Sequence, residues 1–74
     1  MTKIRDEKYL EALGNKIRHI RTTKNISTYD LSYESSVSRS QINAIEKGDI
    51  NTTISTLKAL ADALEVKVKD LVDL

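Results

Sequence analysis

Between Ser27 and Gly48 the chain carries only four large aliphatic residues, Leu31, Val37, Ile42 and Ile45, and their placement narrows the possible folds more than any other feature. Ser27 can cap a helix beginning at Thr28, because its hydroxyl accepts a backbone N–H that has no partner within the first turn. Ser38 offers the same to a second helix beginning at Arg39. A break at Ser35, Ser36 and Val37 divides the two patterns, and Gly48 stands in the C-terminal capping position of the second. The helices, about Thr28 to Ser35 and Arg39 to Lys47, each have one narrow apolar stripe. Helices this short do not persist alone in water. The rest of the chain must supply a scaffold behind both stripes.

That scaffold is helical. Leu10, Leu13, Ile17 and Ile20 recur at helical spacing, so a first helix is expected from about Asp6 to Lys24, with Asn25 as a left-handed stop. Gly14 within it costs ~1 kcal/mol relative to alanine, and the close approach of a neighbouring helix is the reason expected for it. After a polar loop from Asp49 to Thr52, Thr53 can cap a fourth helix with Ile54, Leu57, Leu60, Ala61 and Leu64 on one face. A last short helix near Val68 to Val72 turns Leu71 inward. Proline is absent and glycine occurs twice, which suits helices rather than sheets. The expectation is an all-α fold of five helices in one domain, residues 1–74, with a polar N-terminal extension over 1–7. A core in 74 residues is marginal unless it is helical and tight or gains area by association.

Several function classes lose their chemistry at once. No cysteine is present and His19 is the sole histidine, so thiolate metal sites are excluded and His19 cannot make a metal site by itself, and neither a metal nor a cofactor is expected. No clustered carboxylates suggest an enzyme. Met1 to Asp6 is polar and is not a signal peptide, and no apolar run approaches the roughly 18 residues of a membrane span. A cytoplasmic protein that needs no membrane and no small-molecule ligand is expected. The net charge of +1 says little, but its distribution says more: nine of the twelve basic residues precede Gly48, against six acids. A basic front and an acidic rear suit a molecule that turns one side toward a polyanion, although ordinary surface scatter gives the same count.

Leu13-Gly14, Ile17, Arg21, Leu31, Val37-Ser38, Ile42, Ile45-Glu46-Lys47-Gly48, Asn51 and Leu57 through Leu64 together resemble the Cro/C1-type helix-turn-helix domain of phage repressors and the wider XRE group. The hydrophobes fall at the fourth, tenth, fifteenth and eighteenth positions of a twenty-residue unit starting at Thr28. The resemblance implies a five-helix, lambda-repressor-like domain with helices two and three as the helix-turn-helix. Two departures stand out: Ser32 where the family usually has alanine, and Ser36 where it usually has the glycine that turns the chain. Asp49 and Ile50 also replace the basic residues that relatives often carry before helix four.

The resemblance implies that helix three enters the major groove of double-stranded DNA and reads an operator half-site, two copies acting together as a homodimer. Arg39, Ser40, Asn43 and Ala44 are the expected base contacts. Arg39 suits O6 and N7 of guanine and Asn43 suits adenine, while the plain alternative for Arg39 is a solvated arginine at a helix start. Thr28, Ser38, Gln41, Lys47 and Asn51 are the expected backbone contacts, the plain alternative for Ser38 being to cap its own helix alone. Tyr29 and Tyr33 either reach a phosphate or cover helix one. Arg21 and Glu46 match a pair that the family places in contact. Val68, Leu71, Val72 and Leu74, in a segment over 66–74, are either incidental surface aliphatics or the dimer interface. The leading function is a transcriptional regulator. The alternative is a protein-interaction module, such as the antitoxin of a toxin–antitoxin pair.

Overall fold

The computed structural model describes residues 4–74, so the first three residues of the N-terminal extension lie outside it. Among the described residues there are five helices and no strand: α1 (Glu7–Thr23), α2 (Thr28–Ser35), α3 (Arg39–Glu46), α4 (Ile54–Ala63) and α5 (Val68–Leu71). The helix starts are set by side chains. Asp6, Ser27, Ser38 and Thr53 accept the backbone N–H of Tyr9, Asp30, Gln41 and Thr56 at 3.0, 3.0, 3.1 and 3.1 Å, which satisfies donors that the first turn leaves open.

The helix ends are set by backbone conformation. Asn25, Ser36, Gly48 and Glu65 all have positive φ, between 58° and 76°, and each lies one or two positions beyond the end of α1, α2, α3 or α4. After α1, α3 and α4 the chain folds back so that the N–H of Ile26, Asp49 and Val66 reaches the carbonyls of Arg21, Ala44 and Ala61 at 3.0, 2.9 and 2.9 Å, the paired closure of a Schellman motif. Ile26 and Val66 then pack against the core.

The core joins all five helices. Leu13 and Ile17 from α1, Leu31 from α2, Ile42 and Ile45 from α3, Leu57, Leu60 and Ala61 from α4, and Leu71 from α5 form one cluster with Val37 and Leu64. α3 packs against both α1 and α2, α2 also meets α4, and α5 lies on α4 and α1. Gly14 is where α1 and α3 come closest, because a Cβ there would stand 2.6 Å from the Glu46 carbonyl oxygen. No helix of the described residues is long and apolar enough to cross a membrane.

Three placements differ from the sequence expectation. Ile54 faces water at 71% exposure rather than joining the inward face of α4, because it is the first residue of α4 and sits beyond the edge of the core. Leu71, expected both inward and in the dimer interface, is fully buried, so it keeps the inward place and drops out of the interface. Lys47 is the cap that follows α3 instead of its last residue.

Candidate nucleic-acid interface

α3 shows its outward face because its inward face is fully used. Ile42 and Ile45 are buried, and residues three or four apart share a helical face, so Arg39, Ser40, Asn43 and Ala44 emerge together on the other side. They line one open hollow with Lys47 and Asp49. The four side chains expected at base edges are therefore neighbours on one surface, with an exposed arginine at its N-terminal end. Arg39 stands over the ring of Tyr29, its Cζ 6.0 Å from the ring centroid. Tyr33, at 76% exposure, does not cover α1.

A second, smaller hollow is lined by Arg18, Arg21, Thr28, Asn43, Glu46 and Lys47. Thr28 and Lys47, both expected to meet DNA backbone, come together here. Arg21 and Glu46 form its floor. Arg21 Nε and Nη2 donate to the two Glu46 carboxylate oxygens at 2.7 and 3.0 Å, and Nη1 donates to the Ile26 carbonyl at 2.9 Å. The side chains are 12% and 8% exposed. The Glu46 hydrogen bond, aided by the Glu46 charge and opposed by burial, holds the Arg21 guanidinium above its ordinary pKa. With the Arg21 charge balanced by the Glu46 carboxylate, Arg18 and Lys47 carry the unpaired positive charge of the hollow, and neither forms an ion pair among the described residues.

The remaining expected contacts are less gathered. The Ser38 hydroxyl is engaged by the Gln41 N–H, and Gln41 is half-buried and lines neither hollow. Asn51 is also outside both; its Nδ2 donates to the Ile4 carbonyl at 3.3 Å. Arg18 and Asp49 were missing from the sequence expectation. Arg18 lies three residues before Arg21, hence on the same side of α1, and that spacing was the available signal. Asp49 reaches the first hollow through the fold-back after Gly48. There Arg5 Nη2 donates to the Asp49 carbonyl at 2.8 Å, a contact between distant parts of the chain that no local pattern announces.

The chain is similar in sequence and in fold to known proteins. The model of the Cro/C1-type HTH DNA-binding domain matches residues 16–74. The chain is 38% identical over 61 residues to control protein C.BamHI of Bacillus amyloliquefaciens, across 81% of this chain and 75% of that one. It is 36% identical over 61 residues to control protein C.SmaI of Serratia marcescens, across 82% and 73%. Its fold superposes on the restriction-modification controller protein C.AhdI from Aeromonas hydrophila with a TM-score of 0.82 at 31% identity, over 84% of this chain and 94% of that one. The chain belongs to the Cro/C1-type helix-turn-helix DNA-binding family, whose members among its relatives include controller proteins.

Proposed function

We propose that this protein is a sequence-specific transcriptional regulator that reads an operator half-site with α3 in the major groove of double-stranded DNA and acts as a cytoplasmic homodimer. The observation that carries the reading is the hollow that unites Arg39, Ser40, Asn43 and Ala44 on the exposed face of α3. Arg39 and Asn43 are the two groups with bidentate chemistry for guanine and adenine. Thr28, Ser38, Gln41, Lys47 and Asn51 serve the phosphate backbone, Thr28 and Lys47 with Arg18 beside them. The chain acts as one domain, with 66–74 as its dimerisation segment: Val72 and Leu74 form that surface, Val68 lies at its edge, and no small-molecule ligand is needed.

Selection from random duplex DNA tests this directly. The expected outcome is a palindromic consensus with half-sites roughly one helical turn apart, bound with a log–log salt slope of about −0.9 per phosphate neutralised. Recovery of no consensus, or binding that ignores salt, would overturn the reading.

A further inference from the structure

Among the described residues Arg39 has no carboxylate partner, and what it meets is the face of Tyr29. That contact joins the start of α2 to the start of α3, since Tyr29 is the second residue of one helix and Arg39 the first of the other. Tyr29 itself is 62% exposed. It fills no part of the core, so the fold gives it no reason to be aromatic. We infer that Tyr29 is a positioning residue for sequence readout: its ring holds the Arg39 guanidinium in the orientation that addresses guanine. This rests on the proposed reading of DNA by α3.

The chemistry favours a ring in this place. An arginine side chain at a helix start is long and loses much rotamer freedom on binding. A guanidinium attracted to an aromatic face stacks through its plane, while its N–H donors all lie within that plane and remain free at the edge. O6 and N7 of guanine accept two such edge donors side by side. The ring thus engages the surface of Arg39 that the base does not use, and it removes part of the disorder that base contact would otherwise have to remove. The tyrosine hydroxyl has no part in this, which separates the inference from a phosphate contact by the same residue.

The test uses the full chain and the duplex that selection with the wild-type protein recovers, together with a variant duplex changed at the guanine assigned to Arg39. Discrimination between the two is measured for Tyr29→Phe, Tyr29→Leu, Arg39→Ala and the Tyr29→Leu/Arg39→Ala double variant, with melts to verify folding and a random duplex to report nonspecific binding. Tyr29→Phe is expected to match wild type. Tyr29→Leu is expected to lose roughly two- to five-fold in discrimination, as an exposed cation–π contact allows, with nonspecific binding and salt slope unchanged. In the Arg39→Ala background it should change nothing further. If Tyr29→Phe loses as much as Tyr29→Leu, or if both lose nonspecific affinity equally, the hydroxyl is a phosphate contact and the inference is wrong. It is equally wrong if Tyr29→Leu leaves discrimination at the wild-type value. An Arg39→Ala protein that binds its site with full discrimination removes the Arg39 reading and the inference together, whereas a wild-type protein that selects no duplex removes the proposed function itself.

Discussion

Ser36 holds a left-handed backbone, with φ 61° and ψ 17°, at the end of α2, a conformation that costs a non-glycine residue about 1–2 kcal/mol. Its amide donates to the Ser32 carbonyl at 2.9 Å, so the turn is properly closed even though its residue is a poor one for it. Ser36→Gly should therefore stabilise the fold by about 0.5–1 kcal/mol, the greater freedom of glycine in the unfolded chain taking back the rest. For a domain of this size that is a rise of roughly 4 °C in Tm, and a melt that is unchanged or lower would show that Ser36 sits there without strain. The caps at Ser27, Ser38 and Thr53 and the stops at Asn25 and Gly48 were legible in the sequence, because each follows from the preference of a single residue type. Ser36 was not, since serine has no left-handed preference and the conformation is imposed by Leu31 and Ile42 having to enter one core. Arg39 belongs to the same scale. Arg39→Ala should lower discrimination at one base pair per half-site by ~1–3 kcal/mol and leave nonspecific binding much less affected; an equal loss in both, measured on selected and random duplexes, would reassign it to phosphate.

The angle at which α3 is presented depends on how it is fixed to α1, and two contacts fix it. Gly14 lets the helices approach until its missing Cβ would stand 2.6 Å from the Glu46 carbonyl. The shielded Arg21–Glu46 pair then ties the last turn of α1 to the last residue of α3. Removing either partner leaves the other charge mostly out of water, so Arg21→Ala and Glu46→Ala should each destabilise by about 3 kcal/mol, and melts close to wild type would contradict that. Gly14→Ala should also destabilise despite the helix preference of alanine, because the atoms it meets are backbone and cannot rotate away. Sequence periodicity was sufficient for the elements themselves, where Leu13, Ile17, Leu57, Leu60 and Leu64 recur on single faces. It misplaced Ile54 because a repeat does not show where the core ends. It also passed over Ile26 and Val66, since these apolar residues are partly buried against the core by the fold-back after a helix rather than by any helical phase. For the hollow on α3 the four neighbours followed from helix position together with the family resemblance, whereas Asp49 and the ring beneath Arg39 depended on how separate elements meet.

At the scale of the whole molecule the question is how so small a reader could be selective, since one recognition helix addresses only a few base pairs and rarely supplies regulatory affinity alone. The proposed homodimer would answer it, with its two-fold axis away from the α3 hollow. The C-terminal end is the surface proposed for it. α5 packs on α4 and α1, and just beyond it Val72 and Leu74 remain 37% and 49% exposed. Leu71 cannot share in the association because it is fully buried, and this provides an internal control. Leu71→Asp would place a carboxylate in the core and should unfold the protein. Val72→Asp with Leu74→Asp should leave the melt of the monomer nearly unchanged, shift sedimentation toward the monomer, and weaken binding to a palindromic site far more than binding to a single half-site. The proposed two-fold operator supplies the reason: a dimer would engage its second half-site as an intramolecular event, at an effective concentration that a monomer lacks. A double variant that sediments as wild type, or a wild-type chain that remains monomeric at high concentration, would place the interface elsewhere or remove it.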